Sequence, residues 1–195
     1  MNKPQLTGLF YAVVLSFALS TPVQAATILF NLTGNSGDGL LPGNEVSPAA
    51  STGSGNELGS GISYDDVTNV LSIDIGWGSG NGFTDLTGNV TLSHIHGFAD
   101  SSTNAGVLYT LHTLPGFDVS ATSGGFTGIV NIAEADETNL LAGLTYINVH
   151  TSANPGGEVR GQLVVDSIVP IPPAVYLFVS GLIGLVGMAK KRSNV

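Results

Sequence analysis

Two segments about fifty residues apart hold most of the side chains in this sequence that can do chemistry. One is His94-Ile95-His96-Gly97, and the other runs from Tyr146 to Gln162 and contains His150, Glu158 and Arg160. On a β-strand, residues two apart point to the same face at roughly 7 Å, so His94 and His96 can converge on one ion. Tyr146, Asn148 and His150 also share one face of a strand, with Ile147 and Val149 turned to the core. Three imidazoles at strand ends can bind zinc or copper with an open position. The alternative is that they hydrogen-bond loop backbone and one another, or act as a pH-sensitive part of a surface contact. His112 ends another apolar run, and nothing in the sequence places it near the others.

Arg160 is the only basic residue between Lys3 and Lys190. It shares a strand face with Glu158, which gives two readings: a structural ion pair with Glu158, Glu45 or another carboxylate, or an anion anchor beside the histidines. Other chemistry is thin. Asp65 and Asp66 sit in a stretch that reads as a hairpin turn. Ser93 points away from His94, and the spacing of Asp100 and Asn104 fits no standard calcium loop. Trp77 and Phe83, in a Gly-rich loop, could stack on a sugar or cap the core.

The elements that position these groups read as strands. Short apolar alternations bounded by Gly, Asn, Asp and Ser recur through Thr27–Leu32, Ser54–Tyr64, Val70–Gly76, Gly88–His96, Val107–His112, Phe126–Asn131, Leu144–His150 and Glu158–Val165. Val90 and Leu92 precede the histidines with the same parity, so that strand is expected to leave the core as it reaches His94. Gly-rich stretches at Thr33–Gly53 and Gly76–Gly88 are expected loops, and Ala133–Asn139 one helical turn. Seven or eight strands at this spacing predict an all-β immunoglobulin-like or Greek-key β-sandwich or barrel over residues 26–166. Asp166–Pro172 reads as a linker. With no cysteine, the domain must be held by its core.

The ends read as addresses. Lys3, the apolar run Leu9–Leu19 and Val23-Gln24-Ala25 predict a signal peptide over residues 1–25, cut after Ala25. Ala174–Ala189 is an uncharged stretch closed by Lys190-Lys191-Arg192, which predicts a short transmembrane helix with a cytoplasmic basic end. Between the two ends lie all 14 acidic residues against one base, a net charge of −13 for the exported part. That argues against nucleic acid as a partner, because phosphate binding needs clustered Lys and Arg. Cations or neutral polymers fit better.

The tail, with Val169, Pro170, Pro172 and Pro173 ahead of the apolar stretch, resembles the PEP-CTERM sorting signal in its Val-Pro-x-Pro form. Pro173 stands where alanine is usual. The resemblance implies recognition by an exosortase, removal of the helix, and release to the cell surface or extracellular matrix. Asn44-Glu45-Val46-Ser47-Pro48 with Gly53, His94-Ile95-His96-Gly97 with Ala99 and Gly106, and the Tyr146–Gln162 segment together resemble the CHRD domain, over about Phe30–Val165. Ser47 and Phe98 are departures in its loops. That domain is in turn similar, to a limited extent, to copper/zinc superoxide dismutase. His94-Ile95-His96 is similar to that enzyme's copper pair, and Arg160 falls in a comparable position. The other ligands of a dinuclear site and the cysteine pair are missing, which argues against dismutase activity.

The expected function is therefore an exported, surface- or matrix-associated, non-catalytic binding or structural module. It would be processed by signal peptidase and an exosortase, with an exopolysaccharide or a surface protein as possible partner. The alternative is a zinc- or copper-binding domain using His94, His96 and His150.

Overall fold

The computed structural model describes residues 26–118 and 121–170. The expected signal peptide with Ala25, the Pro172-Pro173 pair and the apolar C-terminal stretch lie outside them. No described helix is long and apolar enough to cross a membrane.

Eight strands form one antiparallel sheet: β1 (Ala26–Thr33), β2 (Gly55–Asp65), β3 (Val70–Trp77), β4 (Val90–Gly97), β5 (Val107–Thr110), β6 (Gly124–Asn131), β7 (Thr145–Thr151) and β8 (Val159–Pro170). The one α-helix among the described residues, α1, spans Glu134–Leu141, eight residues where a single turn was expected. Asp136 extends its role beyond a solvated face by accepting a 2.6 Å hydrogen bond from the Tyr109 hydroxyl. Strand order is β5-β4-β7-β8-β1-β2-β3-β6, and the sheet curls into a nearly closed all-β barrel. The Val90 amide donates to the Ala121 carbonyl, drawing the start of β4 toward the segment that leads into β6.

The period-2 pattern explains the inside of this barrel. Ile28, Phe30 and Leu32 on β1 alternate inward with Leu71, Ile73 and Ile75 on β3, and Ile147, Val149, Val159 and Leu163 complete the wall. Burying each such side chain stabilises the fold by roughly 1.5–3 kcal/mol. Trp77 is fully buried against Phe117, with ring centroids 5.6 Å apart, so it belongs to the core and is closed to a sugar. The turn after β2 is built as its residues demand. The Asp65 carboxylate accepts the amides of Val67 and Thr68 at 3.0 and 2.8 Å, and Asn69 takes a positive φ of 57°.

Two features depart from simple alternation. A register shift between Val90 and Leu92 inserts an extra residue into β4. Val90, Ser93 and Ile95 consequently point inward while Leu92 and both histidines point out. This bulge is the means by which the strand turns its histidines away from the core. The second departure is at the C-terminal end, where β8 runs on to Pro170 although Asp166–Pro172 read as a linker. Asp166 is the extra residue at a second register shift, and beyond it Ser167–Pro170 pair with Ala26–Leu29 of β1. Val169 and Pro170 thus lie in a strand.

Only β7 is buried at every position, on both faces. Its inner face meets the hydrophobic core. Its outer face, with those of β4 and β8, is roofed by the β1–β2 and β4–β5 loops, and this second, polar layer contains the candidate site.

Candidate metal centre on the covered outer face

Cross-strand register builds the site. His94 pairs with Asn148, His96 with Tyr146 and Leu92 with His150 across β4 and β7, while Tyr146 and Asn148 pair with Gln162 and Arg160 across β7 and β8. All these side chains project from the outer face, and Tyr146, His96, His150, Asn148, Arg160 and Gln162 are buried beneath the loops.

Each imidazole has one nitrogen committed or aimed by a neighbour. His96 Nδ1–H donates to the Ala105 carbonyl at 2.9 Å, and His150 Nδ1–H donates to the Pro155 carbonyl at 2.8 Å. A carbonyl accepts only, so these bonds place the protons on Nδ1 and make both Nε2 atoms lone-pair acceptors, of which His150 Nε2 faces His94 and His96 Nε2 is unpartnered. His94 presents Nδ1, 3.2 Å from His150 Nε2. One ligand nitrogen from each of the three lies within 4.8 Å of the others. Nitrogens bound at about 2.0–2.1 Å around a tetrahedral ion stand about 3.3 Å apart, so the His94–His150 pair needs little adjustment. His96 Nε2 is buried and has no hydrogen-bond partner. An unpaired nitrogen at this depth costs about 1–3 kcal/mol unless something fills its lone pair, which fits a metal ligand.

The electrostatics favour the neutral, ligating form. Burial, with repulsion from His150, His96 and His112, pushes His94 down to about 4. Burial likewise lowers His96, against the opposing pull of the Ala105 carbonyl and the Asn148 side chain, and His150, against that of the Pro155 carbonyl. Metal binding therefore does not have to displace an imidazolium proton near neutrality.

Arg160 sits beside this cluster with both of its Nη groups engaged. Nη1 donates to the Thr103 carbonyl at 3.1 Å and to Asn104 Oδ1 at 3.2 Å, and Nη2 donates to the Asp100 carbonyl at 2.8 Å and to Gln162 Oε1 at 3.1 Å. Its guanidinium carbon lies 3.4 Å from the centroid of the Tyr146 ring. These bonds go to carbonyl and amide oxygens, whereas the two carboxylates suggested as its partners lie elsewhere in the network. Glu158 is fully buried and accepts from the Ser51 and Thr151 hydroxyls, the Thr87 amide and Asn154 Nδ2. Burial pushes the Glu158 carboxyl up, yet this set of donors outweighs it and holds the group below its ordinary value. Glu45 feels Arg160 electrostatically, but burial dominates and raises it. Asp100 caps its own turn through Ser102, and Asn104 is taken by Arg160, which leaves neither arranged around a cation.

His112 is the neighbour that sequence reasoning left unplaced. Its ring stands edge-on to His94, centroids 5.2 Å apart, with Nδ1 3.1 Å from the Ser93 carbonyl. The signal was the β4–β5 hairpin itself: His94 pairs with Thr110, and His112 follows two residues later on the same face. The parallel stack of Tyr146 on His96, 5.0 Å between centroids and 6° between planes, had no such signal.

A nearly closed antiparallel barrel with an imidazole cluster on a loop-roofed outer face defines an all-β domain with a histidine-rich polar layer. Residues 39–163 match the CHRD domain, and the chain belongs to that family. No curated protein and no solved structure matches it.

Proposed function

We propose that the chain is an exported, non-catalytic CHRD module that holds one transition-metal ion, zinc or copper, through His94 Nδ1, His96 Nε2 and His150 Nε2. The observation that carries this reading is the buried, unpartnered His96 Nε2 within reach of the other two ring nitrogens. Three imidazoles leave a zinc or copper ion one open position, and they supply a single ion, not a dinuclear pair. A bound ion would supply Lewis acidity or, for copper, one-electron exchange. The chain's own part is to keep three neutral imidazoles turned toward one another under a loop roof.

The signal peptide, cut after Ala25, and the PEP-CTERM-like tail give the module its address: across the inner membrane, transiently anchored, then released by an exosortase to the cell surface or matrix. An exopolysaccharide or a surface protein is the partner proposed there. The acidic surface suits cations and neutral polymers.

Metal analysis of protein purified without a His tag tests the site. One equivalent of zinc or copper after loading and gel filtration is expected, and less than about a tenth of an equivalent would refute it. Mass measurement of the protein released by an exosortase-bearing host tests the address. Retention of Lys190-Lys191-Arg192 in that released protein would overturn processing.

A further inference from the structure

Arg160 is 1% exposed, and its guanidinium bonds go to carbonyl and amide oxygens with no carboxylate among them. A buried guanidinium is costly, and well-packed apolar residues often fill such a space with no loss of stability. What Arg160 does here is gather the β4–β5 loop. Its forks reach the Asp100 and Thr103 carbonyls and Asn104 Oδ1, and Gln162, which also accepts from it, donates to the Ala99 carbonyl at 2.7 Å. The next loop residue, Ala105, presents the carbonyl that fixes the His96 tautomer.

Tyr146 reaches the same point by another route. Its hydroxyl accepts from the Ala105 amide at 3.1 Å, its ring lies flat on the His96 imidazole of β4, and Arg160, from β8 on the other flank of β7, covers the ring 3.4 Å from its centroid. Guanidinium, phenol and imidazole form one stack. Rotation of His96 about its side-chain bonds would have to break that stack and its bond to Ala105 together.

We propose that Tyr146 and Arg160 are positioning residues of the metal centre: the stack and the clamped Asp100–Ala105 segment hold His96 with Nε2 turned toward His94 and His150. The assignment rests on the metal reading above, where the two residues touch no ion and act through His96. Groups that orient a ligating histidine typically change metal affinity 10- to 100-fold when removed.

The test uses Co(II) alone as the probe, with affinity from titration and geometry from the visible d–d bands. Tyr146→Leu and Arg160→Met are expected to weaken Co(II) binding tenfold or more and to shift the bands, and Tyr146→Phe, which keeps the ring, is expected to recover most of the affinity lost in Tyr146→Leu. Unchanged affinity and bands in folded Tyr146→Leu and Arg160→Met would overturn the proposal. A readout on the unaltered metal-free protein guards against variants that fail to fold. Long-range ¹H–¹⁵N spectra should show His96 as the Nδ1–H tautomer near pH 7, and an Nε2–H tautomer would overturn the proposal as well. Failure of the metal reading looks different, because the unaltered protein would then bind no Co(II) at all.

Discussion

His94 Nδ1 and His150 Nε2 face each other at 3.2 Å across β4 and β7. Because His150 gives its own Nδ1–H to Pro155, the proton between the two rings belongs to His94 in the metal-free protein. An ion held there as proposed would take the place of that proton, and His94 would then carry its hydrogen on Nε2.

From this follows a stability coupling. An ion that binds the folded chain alone adds about 2.7 kcal/mol at a hundredfold excess over Kd, or roughly 5–10 °C in Tm for a domain of this size. Thermal melts with and without zinc should show that rise, its reversal by a chelator, and its absence in His96→Gln. A melt indifferent to zinc in the unaltered protein would contradict the site.

Acid should weaken the metal-free fold. The folded His94 titrates near 4, and His96 and His150 are also depressed. Between their folded values and the unfolded value of about 6.5, the unfolded chain binds more protons, so stability rises with pH across that window. It is fully present above about pH 6.5 and is lost progressively as pH falls toward 4. Urea midpoints measured from pH 7.5 to 4.5 should fall for the unaltered protein and fall less for a His94→Gln variant. Equal slopes for the two would remove the histidines as the cause.

Glu158 is the joint between three loops. Its carboxylate ties Ser51, Thr87, Thr151 and Asn154 together from a fully buried position. Glu158→Ala leaves several donors unpaired at once and should destabilise the fold by about 3–5 kcal/mol. Glu158→Gln keeps the shape and loses the charge, for about 1–3 kcal/mol. Chemical denaturation distinguishes the two, and a loss below 1 kcal/mol in Glu158→Ala would show that the loops do not depend on it.

The final turn of β8 is open to the same scrutiny. A chain ending at Asp166 forfeits the pairing of Ser167–Pro170 with β1, whereas one ending at Pro170 keeps it. The shorter chain should melt roughly 3–8 °C lower and expose the amides of Thr27 and Leu29, which face β8, to rapid hydrogen exchange. Equal melting and equal protection would mean that these four residues add nothing.

The strands were legible because one face of each meets the core and carries the period-2 pattern, as Leu71, Ile73 and Ile75 do. The convergence of His94, His96 and His150 followed from the same parity once β4 and β7 were neighbours. The roof was not legible, since burial of Tyr146, Arg160 and Gln162 by loops leaves no periodic trace. The partners of Arg160 were hidden for a related reason: most are backbone carbonyls, which every residue has, so side-chain identity pointed to carboxylates instead. Ile168 and Val169 lie largely exposed on an extension that follows a bulge, and with no apolar alternation they read as linker. The bulge before Leu92 is likewise a one-residue insertion, which composition does not mark.

The pairing of Ala26 with Pro170 has a mechanical consequence. The chain enters and leaves the barrel side by side, so a load applied between those two points peels β1 from β8 one pair at a time. Resistance in that direction is that of a zipper, not of a sheared sheet.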